Sequence, residues 1–164
     1  MNFSKRLLAS YGPPKAEVDR EYEKSIEETG YCSNKAAGCL IFCFTTKRFL
    51  VARRSVFVQE PLTWGTWGGS ADEGESDSDC AIRELSEETG YEGELELIPV
   101  FKFTDGDFSY QNYIAIVQRE FEPVLTWETS DYRWLSLNNF PKPFHCGLES
   151  LLNDPKTIQL LESL

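Results

Sequence analysis

The sequence predicts an α/β protein, an α/β/α sandwich around a mixed β-sheet. Three observations carry this. Residues 36–44 and 111–118 are apolar at both odd and even positions, the pattern of strands buried on both faces. Residues 76–89 have helical spacing between a capping serine and a stop glycine. Strands covered on both faces need helices on both sides of the sheet.

The elements follow in order. Residues 1–34 are polar and charged, broken by Gly12-Pro13-Pro14, with helical composition over 15–28. They are expected to form an N-terminal extension with one helix packed on the domain, which itself spans 35–164. After the first buried strand, residues 48–54 form a second. It carries Phe49, Val51 and Arg53 on one side and Leu50, Ala52 and Arg54 on the other. Residues 59–75 are a loop rich in glycine and tryptophan. Residues 95–104 and 111–118 are strands, 132–135 a short strand, and 147–163 a C-terminal helix that Pro155 can split.

Composition narrows the function. At 164 residues the chain suits one domain with a real core. A formal charge of −11 argues against binding a nucleic-acid polymer by its backbone. It leaves room for a small anionic substrate, because divalent cations reverse the local sign. The longest apolar run, CLIFCF, is too short to span a membrane, and the first ten residues lack a secretory pattern. Five scattered cysteines give no disulfide framework and suggest reduced thiols in a cytoplasm. Cys39, Cys43, His145 and Cys146 lack the spacing of a zinc site, and buried structural cysteines are the better reading. His145, the single histidine, lies in a turn between Pro-Lys-Pro-Phe and Cys-Gly, which speaks against a histidine-centred hydrolase.

The pentapeptide EETGY occurs twice, at residues 27–31 and 87–91. The second closes a helix whose start is marked by Ser76 with Asp77 and Asp79, and whose end is marked by Gly90. On a helical wheel Ala81, Ile82 and Leu85 share one arc. Glu84, Glu87 and Glu88 share the other, at spacings of three and four that crowd their carboxylates together. Such a trio repels itself unless a cation sits among the carboxylates, and a hard divalent ion such as Mg²⁺ is the natural filler. The first copy sets Lys24 where the second has Glu84, so the repeat is not a duplicated site.

The wider stretch matches the pattern G-x5-E-x7-R-E-U-x-E-E-x-G-U in full, as Gly69, Glu75, Arg83, Glu84, Leu85, Glu87, Glu88, Gly90 and Tyr91. Chance coincidence of its seven fixed identities is on the order of 10⁻⁶. The stretch resembles the Nudix box, found in hydrolases that cleave a nucleoside diphosphate linked to another moiety. The order of strands, loop and helix extends the resemblance over roughly residues 35–137. One departure is Trp67-Gly68-Gly69 where many members have Pro-Gly-Gly.

The resemblance implies a cofactor, Mg²⁺ or Mn²⁺, and roles for residues. Glu84 and Glu88 are expected as metal ligands, and Glu87 as ligand or general base. A backbone carbonyl at Gly68 or Gly69 is expected to complete the shell. Arg83 is expected to pair with a box carboxylate and Glu75 to brace the loop. Glu128 is the candidate for a further carboxylate from outside the box, with Asp131 second. Arg53 and Arg54 are candidate phosphate clamps. Trp64, Trp67, Phe103, Phe108, Tyr110 and Tyr113 are candidates to border a base, with one or two of them stacking on it.

Subfamily tags downstream of the box are mostly missing. The region where ADP-ribose hydrolases carry a proline is Asp105-Gly106-Asp107, and Tyr110 is displaced from the tyrosine of diadenosine polyphosphate hydrolases. Elimination favours a (deoxy)nucleoside triphosphate or modified nucleotide, cleaved to monophosphate and pyrophosphate. A dinucleoside polyphosphate or nucleotide sugar is the alternative. A third reading is a module that binds a nucleotide as a sensor without cleaving it. A homodimer is compatible with the sequence.

Overall fold

The structure, a computed structural model, describes residues 34–164. The extension and helix expected over residues 1–34 lie, but for Asn34, outside the described residues.

Strand β1 (Lys35–Cys43) is the centre of a seven-stranded mixed sheet. It runs parallel to β6 (Phe108–Val117) and antiparallel to β2 (Arg48–Arg54) and β4 (Trp67–Ser70). Strand β5 (Glu96–Asp105) pairs antiparallel with β6. Strands β3 (Trp64–Gly65) and β7 (Thr129–Leu135) both pair antiparallel with β2. The glycine–tryptophan segment expected as a loop thus contributes two short strands.

Alternation along β1 divides the core. Cys39, Ile41 and Cys43 face one layer with Leu50, Trp67, Leu85 and Val117. Leu40 and Phe42 face the other with Val51, Ile114, Leu148 and Leu151. Each fully buried side chain of this size contributes roughly 1.5–3 kcal/mol. Helix α1 (Asp77–Thr89) covers the first face. Helices α2 (Cys146–Asn153) and α3 (Pro155–Ser163) cover the second. The expected C-terminal helix is two helices, because Asp154 caps the second one by accepting from the Thr157 amide at 2.8 Å and Pro155 occupies its first turn.

The ends of α1 are built by the residues that mark it in sequence. Ser76 Oγ accepts from the Asp79 amide at 3.1 Å and donates to Asp79 Oδ2 at 2.6 Å. Gly90 takes a left-handed conformation, φ 70°, and donates to the Ser86 carbonyl. Cys80, Ala81, Leu85 and Thr89 are buried, whereas Ile82, expected on the core arc, is 43% exposed. The row 81–85–89 faces the sheet. The row 80–84–88 therefore lies at its margin, and the row 83–87 points outward. This rotation sets the environment of each box glutamate.

Candidate active site

Arg83 gathers the loop and the helix. Its Nε and Nη2 donate to both oxygens of Glu75 at 2.9 Å, and Nη2 also donates to the Ser70 carbonyl at 2.8 Å. Its Nη1 donates to Glu84 Oε1 at 2.8 Å and Glu87 Oε2 at 3.1 Å. The paired guanidinium holds the Glu75 carboxyl down to about 2. Glu84 is raised, chiefly by burial, although Arg83 works against the rise. Glu87 is the outlying member of the trio, with a side chain 60% exposed.

Glu88 is the most deeply placed. Its Oε2 accepts the Gly68 backbone N–H at 2.8 Å. Burial, with the charges of Glu128 and Glu84, pushes its carboxyl up to about 8. Glu128 acts on both Glu84 and Glu88, and partial desolvation raises its own carboxyl even though the residue stays exposed. The structure therefore brings the candidate from outside the box into one electrostatic cluster with Glu84 and Glu88.

Two glycines make the arrangement possible. A Cβ at Gly69 would lie 2.7 Å from the Glu84 carboxyl, so the bare residue leaves room for it. A Cβ at Gly68 would meet the Gly38 Cα at 2.4 Å and the Ala37 carbonyl at 2.5 Å, so only glycine lets β4 approach β1 there. The Gly69 carbonyl faces the Cys80 thiol, which donates to it at 3.6 Å.

The candidate clamps separate. Arg53 stands opposite Trp64 in the β2–β3 pairing, on the face of Phe49 and Val51. Arg54, past a bulge in the β2–β7 register, falls on the other face. Of the two candidate clamps, Arg54 is the one whose charge acts on the carboxylates. Arg54 Nε donates to the Gln59 carbonyl at 2.7 Å. Its charge reaches Glu88 and Glu128 on one side and Glu60 and His145 on the other.

A cavity of about 400 Å³ lies between the sheet and the start of α2. Phe101, Phe103, Phe108 and Tyr110 form its apolar wall, and Asn112, Thr66 and His145 are among its polar members. Tyr110 reaches inward, its hydroxyl lying where a Cβ at Gly38 or Gly68 would stand. Trp67, expected beside a base, is corrected to a core residue. It is 1% exposed, and its indole N–H donates to the Leu50 carbonyl at 3.2 Å. Trp64 and Tyr113 are likewise buried in the two core layers.

Sequence reading missed Phe101, Asn112 and Glu60. A signal existed for the first two. Phe101 stands two residues before Phe103, and Asn112 is a polar residue two after Tyr110, directly before the apolar run 113–117. Glu60 comes to the cavity only through the fold, where its Oε2 accepts the Cys146 amide at 2.9 Å.

Glu60, His145 and Cys146 bring potential ligand atoms within 4.8 Å of one another. His145 Nδ1 caps α2 by accepting from the Gly147 amide at 3.1 Å. That assigns the ring proton to Nε2, which faces Glu60 Oε1 at 3.5 Å. The lone pair a metal needs is thus committed, and Arg54 adds positive charge nearby. Cys39 and Cys43 are buried thiols, as expected of structural cysteines, whereas Cys146 is exposed, which corrects that expectation for it; Cys80 is buried as well.

Glu84, Glu88 and Glu128 suit a hard divalent cation. They supply oxygen donors in excess of the local positive charge, one of them held by a backbone amide, beside a glycine that leaves space. A family model, NUDIX domain, matches residues 33–153. The chain belongs to the Nudix family. Among the curated relatives of this Nudix chain is a Mycobacterium tuberculosis protein named "Putative 8-oxo-dGTP diphosphatase 3". It is 28% identical over 127 residues, which cover 70% of this chain and 58% of that one. The chain thus spans a little over half the length of that relative. Nudix hydrolase RenU from M. smegmatis aligns with TM-score 0.62 at 20% identity, over 79% of this chain and 84% of the other. The E. coli dihydroneopterin triphosphate pyrophosphohydrolase aligns with TM-score 0.57 at 21% identity, over 82% and 96%. At these identities the likeness of the solved structures is one of Nudix fold. No helix among the described residues is long and apolar enough to cross a membrane.

Proposed function

We propose that the protein is a divalent-cation-dependent hydrolase of a phosphoanhydride bond in a nucleotide. The favoured substrate is a (deoxy)nucleoside triphosphate or modified nucleotide, cleaved to monophosphate and pyrophosphate. The observation that carries this is the burial of Glu88 against the Gly68 amide, with Glu84 and Glu128 close enough to push its carboxyl up. Carboxylates gathered against their own repulsion suit a cation and its phosphate ligands.

Glu84, Glu88 and Glu128 would hold Mg²⁺ or Mn²⁺, with Glu87 at the solvent side. The bound ion supplies charge neutralisation at the phosphate oxygens and acidifies water. The protein's own groups do the rest. Arg83 fixes Glu84 and Glu87 on the helix and ties both to the loop through Glu75 and Ser70. Arg54, whose charge acts on Glu88 and on Glu60 at the cavity, would bind a substrate phosphate. The aromatic wall of the cavity suits the flat face of a base. A water oxygen bonds to phosphorus, the bridging P–O bond breaks with its electron pair leaving on pyrophosphate, and a carboxylate of the cluster takes the water's proton.

A nucleotide panel tests this reading. It should include the ordinary nucleoside triphosphates, 8-oxo-dGTP, Ap4A and a nucleotide sugar, each with Mg²⁺ and with Mn²⁺. Released pyrophosphate or phosphate is the readout. Turnover of a triphosphate supports the favoured substrate class, and turnover of Ap4A or the sugar alone moves it to the alternative. Tight binding of a nucleotide without turnover of any compound would make the protein a sensor.

A further inference from the structure

Asn112 sits on β6 in the floor of the aromatic cavity and is 2% exposed. Its Nδ2 donates to the Phe101 carbonyl at 3.0 Å. Its Oδ1 is buried and receives no donor among the described residues. Turning the amide over does not cure this. The oxygen would then face the Phe101 carbonyl, acceptor against acceptor, and the amide nitrogen would lose its partner. The Phe101 bond therefore fixes which end is the orphan.

Buried side-chain acceptors are nearly always satisfied, so an orphan needs a reason. A valine or leucine at this place on a central strand would cost nothing in hydrogen bonding and would extend the apolar face of Ile114. The side chain instead lies beneath a cavity whose wall is Phe101, Phe103, Phe108 and Tyr110. Aromatic faces bind any base and do not tell one from another. An unmatched acceptor in the floor can, because a base lacking the matching donor leaves it unpaired.

We infer that Asn112 is a specificity-determining residue, whose Oδ1 accepts an N–H from the exocyclic amino group of the bound base. The oxygen is buried in a residue that lines the cavity, and the broad terminal torsion of asparagine lets it tilt toward a donor. Glu60, the carboxylate at this cavity, is taken up by the Cys146 amide and the His145 ring. Among the described residues Asn112 Oδ1 is the buried side-chain acceptor without a partner. The inference rests on the nucleotide reading of the site.

The experiment uses nucleoside monophosphates, which bind without turnover, in three pairs differing by one amino group. These are AMP and purine riboside monophosphate, GMP and IMP, and CMP and 2-pyrimidinone riboside monophosphate. Calorimetric titration of the wild-type protein is expected to favour the amino member of at least one pair by roughly tenfold or more. Asn112→Leu, checked for folding by its melting transition, is expected to bring that ratio near one. A purely structural role would change the affinity of both members together and leave the ratio unchanged. If the wild type binds every pair alike, or the Leu variant keeps the preference, the assignment is overturned. The wild-type comparison stands even if Asn112→Leu does not fold. Equal binding in a protein that hydrolyses nucleotides removes only the role of Asn112. No binding of any of the six compounds, together with no turnover, removes both readings.

Discussion

The Glu88 carboxylate accepts the Gly68 backbone N–H at 2.8 Å, and this joins the box helix to the strand it packs on. The bond orients a carboxyl that burial and its neighbours push up to about 8 although the Gly68 amide works against the rise. A strand pinned to its own helix in this way is rigid where the chemistry needs it rigid.

Glu88 gives the metal-free protein a definite pH dependence. Its folded carboxyl stands at about 8, above the ordinary 4.5, so the folded state binds more protons than the unfolded state between these values. Stability in EDTA therefore falls as pH rises from 4.5 through 8, by an amount on the order of a few kcal/mol. Melting curves at pH 5 and pH 9 should show the loss, and Glu88→Gln should flatten it.

A divalent cation should reverse the loss. Protons and metal compete for the same carboxylates, so added Mg²⁺ should raise the melting temperature more at pH 8 than at pH 5. Equal shifts at both pH values would mean that the ion binds elsewhere.

Arg83 and Glu75 behave with the opposite sign. The Glu75 carboxyl is held down to about 2, so its contribution is present above 4.5 and is lost as pH falls from there toward 2. The gap in melting temperature between wild type and Glu75→Gln should narrow over that window. Arg83→Lys should not rescue the arrangement, since an ammonium cannot meet both Glu75 oxygens together with Glu84 and Glu87.

The glycines separate function from folding. Gly69→Ala places a Cβ 2.7 Å from the mobile end of Glu84, so turnover should drop while melting changes little. Gly38→Ala puts a Cβ 2.4 Å from the Trp67 carbonyl, a backbone atom that cannot yield cheaply. It should destabilise by about 1–3 kcal/mol or more. Parallel melting and kinetic measurements on both variants check this.

Much of this was legible in the sequence, and the misses have physical causes. The box helix announces itself through Ser76, Gly90 and the spacing of its glutamates, all local signals. Two-face burial of residues 36–44 and 111–118 required helices on both sides, and α1 with α2 and α3 supplies them. Trp67 misled because an aromatic in a glycine-rich loop reads alike whether it points inward or outward. Pairing of β4 with β1, a contact between distant segments, buried it. Alternation along the strand put Arg53 and Arg54 on opposite faces, but which of the two lies near the carboxylates depends on how distant segments meet, and no local pattern records it. The cavity was the least legible feature, because it joins β5 and β6 to the start of α2, and no local pattern records that meeting.

The most direct test is pyrophosphate release across the nucleotide panel by the wild type and by Glu88→Gln, each with Mg²⁺ and with EDTA. The account predicts release by the wild type only with the cation, and a loss of roughly 100-fold or more in the Gln variant. Wild-type turnover by Glu88→Gln, or turnover in EDTA equal to that in Mg²⁺, would contradict it.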